Sequence, residues 1–87
     1  MSDSNWRNQG RVGVIGIVIQ DRHQTASSVN ELLSEYGDIV VGRMGIPYHD
    51  REVSVIALIV DGSTDVLGAL TGKLGEIPGV KVRSALT

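Results

Sequence analysis

Val12-Gly13-Val14-Ile15-Gly16-Ile17-Val18-Ile19 has a counterpart later in the chain, Val53-Ser54-Val55-Ile56-Ala57-Leu58-Ile59-Val60. Both octets are rich in β-branched residues, whose stiff side chains suit an extended backbone. Both carry apolar side chains at odd and at even positions. A strand apolar on both sides belongs in the middle of a sheet or beneath a partner, so these octets are read as the two central strands.

Between them the period changes. Over Thr25–Tyr36 the residues Ala26, Val29, Leu32, Leu33 and Tyr36 recur at steps of three and four, leaving Asn30, Glu31, Ser34 and Glu35 on the opposite side. This is a helix, with Thr25 as its N-cap and Gly37 as the glycine beyond its end. Asp38–Ile46 then alternates, with Val40, Gly42, Met44 and Ile46 on one face and Ile39, Val41, Arg43 and Gly45 on the other. Pro47 ends this second strand, and Tyr48 to Arg51 make the turn into the third.

After the third strand, Asp61 to Asp65 form a turn whose hydroxyls and carboxylates cap a second helix. That helix buries Val66, Leu67, Leu70 and Leu74 along one stripe and is broken by Pro78-Gly79. Val80–Leu86 alternates Val80 and Val82 with Lys81 and Arg83, the pattern of an edge strand with one wet face.

The order βαββαβ with short connections is the split βαβ arrangement, an α+β ferredoxin-like sandwich. It predicts an antiparallel sheet in the order 4-1-3-2 with both helices on one face, formed by residues 11–87 as a single domain behind a flexible segment, residues 1–10, that contains Trp6. Two helices on one face leave the Val, Ile and Leu side chains of the other face without cover. An apolar patch on so small a domain marks an interface, which predicts a homo-oligomer, a dimer or tetramer, joined through the apolar sheet face or a sheet edge.

Composition removes several functions. The 87 residues include no cysteine, which excludes disulfides, thiolate metal sites, iron–sulfur ligation and a cysteine nucleophile. A net charge of -2 provides no basic field for direct nucleic-acid binding. No stretch reaches the roughly 20 apolar residues of a membrane span, and Met1 to Gly10 lacks the apolar centre of a signal peptide. The expectation is a cytoplasmic protein with no membrane partner.

Gly72-Lys73 fails as a phosphate loop, because Leu67 stands where the first glycine is needed and Leu74 replaces Ser or Thr. Asp61 and Asp65 are accounted for by a helix N-terminus. No serine, histidine and aspartate come together, so no catalytic residues and no enzymatic activity are expected, and no cofactor.

The topology gathers three loops at one end of the sheet. They hold Asp21, Arg22 and His23 after the first strand, Tyr48 and His49 in the hairpin, and Pro78-Gly79. Together with Arg43, the residues Asp21, Arg22, His23, Tyr48 and His49 are the candidate ligand-binding set. Free N–H groups at the start of the first helix beside Arg22 suit an anion or carboxylate, although Asp21 and Thr25 also serve simply as caps. His23 and His49 with Asp21, Asp50 and Glu52 have donor types that suit a first-row metal. They are equally ordinary solvated loop residues, and no resident metal is expected. Arg43, alone among apolar neighbours between Gly42 and Gly45, wants a carboxylate or an interface partner, or else snorkels at the edge.

Val29-Asn30-Glu31-Leu32-Leu33, Tyr36-Gly37-Asp38, Val41-Gly42-Arg43-Met44-Gly45-Ile46-Pro47-Tyr48, Gly72-Lys73-Leu74-Gly75 and Ile77-Pro78-Gly79-Val80 together resemble the iron-only hydrogenase system regulators, small proteins of ACT-like fold. The resemblance covers residues 11–86. It implies the ferredoxin-like fold, oligomerisation, and kinship with the ligand-sensing domains of amino-acid enzymes and the C-terminal domain of the nickel-responsive repressor. The latter's metal chemistry does not carry over, since the cysteine and clustered histidines are missing. The function it implies is a small regulatory module that senses a ligand and oligomerises, serving transcriptional control through a partner. The alternative is a purely structural oligomerisation or docking domain without a small ligand.

Overall fold

The two octets lie side by side at the centre of the sheet, as their pattern requires. In the computed structural model, which describes residues 10–20 and 23–87, β1 (Arg11–Gln20) and β3 (Val53–Gly62) pair antiparallel from Arg11 opposite Gly62 to Gln20 opposite Val53. β2 (Val40–Tyr48) flanks β3 and β4 (Val80–Leu86) flanks β1, giving the order β2-β3-β1-β4. The helices α1 (His23–Glu35) and α2 (Thr64–Gly75) provide the two crossovers. This is the predicted α+β, ferredoxin-like sandwich. The expected flexible segment, apart from Gly10, falls outside the described residues, as do Asp21 and Arg22.

Alternate residues of the central strands point toward the helices and form the core. Ile15, Ile17 and Ile19 of β1 and Ile56, Leu58 and Val60 of β3 are buried beneath Val29 and Leu33 of α1 and Leu67, Leu70 and Leu74 of α2. Fully burying each such side chain contributes about 1.5–3 kcal/mol. The intervening residues project from the other face, which neither α1 nor α2 covers. Val12, Val14 and Val18 of β1, Val55 and Ile59 of β3, and Met44, Ile46 and Tyr48 of β2 are all 40% or more exposed there.

Several boundaries depart from the sequence reading. α1 starts at His23, two residues early, so Thr25 lies inside its first turn and is not the N-cap. Gly37 is not a left-handed cap either. It opens a 3-10 turn, Gly37–Ile39, in which the Ile39 N–H bonds to the Tyr36 carbonyl at 3.1 Å. That turn takes up Asp38 and Ile39, delaying β2 to Val40. Pro47 does not end β2 but sits within it opposite Ser54, which an edge strand tolerates because a missing N–H costs no ladder bond on the outer side.

The alternation assigned to β2 is also broken. A bulge between Val40 and Gly42 leaves Val40 opposite Val60 on the helix side, whereas Gly42, Met44 and Ile46 lie opposite Ile59, Ala57 and Val55 on the open side. Val41, the extra residue, is 70% exposed. Asp61 and Gly62 continue β3 instead of turning. The cap of α2 is Ser63, whose Oγ accepts from the Val66 N–H at 3.1 Å.

Candidate functional site

The three expected loops do meet at one end of the sheet. The Gln20 N–H bonds to the Gly79 carbonyl at 2.9 Å, and Tyr48 and Gln20 both lie opposite Val53. Gly79 has φ +87° and packs against Gln20, whose Oε1 would stand 3.0 Å from a β-carbon there. The positive φ calls for glycine at this turn, since the Gln20 side-chain end could shift to admit a β-carbon. Between the end of β1, the first turns of α1 and this turn lies a cleft of about 410 Å³, lined by Gln20, Gln24, Thr25, Ser28 and Ile77 as well as the Pro78-Gly79 turn.

The expected site residues are dispersed around this end. His23 is exposed as the first residue of α1. His49 opens a 3-10 turn, His49–Arg51, which Glu52 closes in the left-handed region at φ 55°. Tyr48 projects from the open sheet face at the last pair of the ladder, and Arg43 lies on the helix side five residue pairs before it, so these two occupy opposite faces. Among the described residues no three His, Asp or Glu side chains gather in a metal-holding group.

Sequence reasoning missed Gln20, Gln24 and Ser28, because attention went to ionisable residues. The early start of α1 brings Gln24 and Ser28 to the same side, one turn apart. Periodicity could have found them had the helix start been placed correctly.

Arg43 has a defined partner. Its Nη2 donates to Asn30 Oδ1 of α1 at 2.7 Å. Leu58 lies opposite it in the ladder, while Gly45 and Pro47 follow on the same side of β2 opposite Ile56 and Ser54. Because Gly45 has no side chain and Ala26 of α1 is small, a second cleft of about 160 Å³ opens between α1 and β2, with Ile19 and Ile56 at its floor. At the far end of α1, Lys73 of α2 holds its Nζ 5.2 Å from the centre of the Tyr36 ring. The hydrogen bond to Tyr36 is the largest cause of a raised Lys73 pKa, followed by charge interaction with Tyr36 and, more weakly, Glu35.

Known proteins place this arrangement in a family. A family model, TM1266-like, described as "Iron-only hydrogenase system regulator, putative", matches residues 11–84. The uncharacterized protein TM1266 of Thermotoga maritima has 35% identity and a TM-score of 0.87, with 88% of this chain and 96% of that one covered. The ACT domain of the Chlorobium tepidum GTP pyrophosphokinase superposes with a TM-score of 0.68 at 21% identity, covering 85% of this chain and 96% of the other. The apo form of CPII from Thiomonas intermedia K12, a nitrogen regulatory PII-like protein, shares the fold at a TM-score of 0.54 and 14% identity, over 88% and 89% of the two chains. No curated protein matches the chain. With the family pattern spanning nearly the whole domain and the fold agreeing, the chain belongs to the TM1266-like family of regulators.

Proposed function

We propose that this chain is an oligomeric regulatory module: copies associate through the open sheet face, and a small effector taken up beside α1 at the loop end of the sheet alters that association or a partner's response to it. The observation that carries the reading is the apolar sheet face left exposed among the described residues. Its rows run Ile46-Val55-Val18 and Gly42-Ile59-Val14 across three strands, with the small residues Ala57 and Gly16 between them. Four strands about 4.8 Å apart and about 10 residues long outline roughly 600 Å². Two such faces together bury roughly 1,200 Å², at the lower end of what specific protein interfaces use. Lys81 and Arg83 border the face along β4 and leave its centre apolar.

The family's regulatory description and the ACT and PII-like folds support this role. The clefts beside α1 supply the concave, partly polar surface that a small effector needs. Transcriptional control through a second protein fits the net charge of -2, since the chain carries no net positive charge to draw it to DNA.

The test is the molar mass of the purified chain by light scattering, combined with thermal-shift screening of amino acids, nucleotides and divalent metals. An assembled chain that one small molecule stabilises saturably supports the reading. An assembled chain that none of them stabilises points to a docking module without a ligand. A monomer with no response refutes both.

A further inference from the structure

We propose that the cleft between α1 and β2 binds a small aliphatic carboxylate, held by the Arg43 guanidinium at one end and by the apolar floor of Ile19 and Ile56. This deepens the regulatory reading by naming the effector's chemistry, and it rests on that reading for its purpose. Binding is measured independently of assembly.

The cleft exists because of residue choice along one side of β2. The buried helix-facing positions of the central strands carry Ile, Leu or Val, whereas on β2 beyond the bulge they are Arg43, Gly45 and Pro47. A β-carbon at Gly45 would meet only Ile56 Cγ1, at an ordinary 3.7 Å. Gly45 therefore leaves a gap beside Ile56, which stays 6% exposed and closes the cleft from below. Across the gap, Ala26 and Asn30 stand one turn apart on α1, and the smaller Ala26 keeps the space open.

Arg43 gives the cleft its chemistry. Its side-chain hydrogen bond is to a neutral amide, Asn30, and it forms no ion pair with an acidic side chain among the described residues. Asn30 fixes the guanidinium's direction without neutralising it. Most of the five N–H donors of the planar fork remain available, in a geometry that matches a carboxylate.

Size and polarity narrow the ligand further. At about 30 Å³ for each water displaced, a cleft of about 160 Å³ holds the equivalent of roughly five waters. That suits a carboxylate bearing about three to five carbons and is too small for a nucleotide. The isoleucine floor favours an aliphatic chain over a polar one, and the guanidinium excludes a cation.

The experiment titrates propionate, butyrate and isovalerate into the full chain by calorimetry, with 15N-correlation NMR following the Gly45 amide and Arg43 Nε. The proposal expects saturable binding of at least one acid, with the shifts centred on those two signals. Arg43→Gln should weaken it about tenfold or more, since a hydrogen bond to a charged group is lost. Gly45→Val should abolish it by filling the cleft. Circular dichroism checks that both variants are folded, and if Gly45→Val is not, Arg43→Gln decides. No saturable binding by the folded wild type, or binding indifferent to Arg43→Gln, overturns the proposal. Light scattering on the same samples separates the two ideas. A chain that assembles but takes up no acid refutes this site alone, and a monomer that binds the acid refutes only the assembly.

Discussion

Replacing Gly13 with alanine should detach the end of β4 from β1. Gly13 lies opposite Leu86, and a β-carbon there would run into the Ala85 carbonyl oxygen and stand 2.8 Å from both Leu86 Cα and Leu86 Cδ2. Two of these three atoms are backbone and cannot turn aside. Relief requires β4 to move off, which endangers the contacts fastening its end. The Thr87 N–H bonds to the Val12 carbonyl at 3.0 Å, the Val12 N–H to Thr87 Oγ1 at 3.2 Å, and Arg11 Nε to the Thr87 carbonyl at 2.7 Å. At a net ~1 kcal/mol each, these are worth about 3 kcal/mol, from which the lower unfolded-state entropy of alanine recovers ~0.5–1 kcal/mol. The expected net loss is about 2–3 kcal/mol, in line with the usual cost of overpacking. For a domain of this size, that lowers Tm by roughly 10–20 °C. The assay is urea denaturation at fixed chain concentration, because assembly also shifts apparent stability. Gly68→Ala is the control, since a β-carbon there meets nothing within 4 Å on the exposed side of α2, and it should stabilise by ~0.5–1 kcal/mol. Gly13→Ala within 0.5 kcal/mol of wild type, roughly the scatter of neutral surface changes, would refute the reasoning.

Other perturbations test other levels of the fold. Leu70 has no exposed surface in the core, so Leu70→Ala should cost about 2–5 kcal/mol by the same denaturation assay. Ser63→Ala removes the cap oxygen from the Val66 N–H and should cost about 1 kcal/mol. Lys73 has a folded pKa above the ordinary 10.5 because of Tyr36. Its contribution is fully present below 10.5 and is lost as pH rises through the higher folded value. The stability difference between wild type and Lys73→Gln should therefore be constant from neutral pH to about pH 9 and shrink in more alkaline solution, as followed by thermal melts.

The architecture was legible because burial on two faces forces a residue pattern. The octets 12–19 of β1 and 53–60 of β3 are apolar at every position a side chain occupies, apart from Ser54, and this put them at the centre. β4, with Lys81 and Arg83 on one side, declared itself an edge. The misplaced details depend on local hydrogen bonding that composition does not encode. Pro47 looked like a terminator because it lacks a ladder donor, yet an edge strand, which the predicted order already made of β2, tolerates it. The bulge at Val41 arises from pairing with β3, so no pattern within β2 alone could reveal that Val40 and Gly42 point to opposite faces.

The candidate site was harder to read for a related reason. Arg43 stood out as a charge among apolar residues, but its partner Asn30 lies 13 positions away on α1, and only the packed structure brings the two together. Gln20, Gln24 and Ser28 carry no charge and no motif. Their shared cleft follows from where α1 begins.

The most direct test of assembly through the open face is the molar mass of the wild type and of Ile59→Lys, measured by light scattering at tens of micromolar. Ile59 is 45% exposed beside Val14, and a lysine there leaves the helix-covered core untouched. The account predicts a wild-type mass that is a multiple of 9.3 kDa and a folded Ile59→Lys variant at 9.3 kDa. A monomeric wild type, or a variant as fully assembled as the wild type, would contradict it.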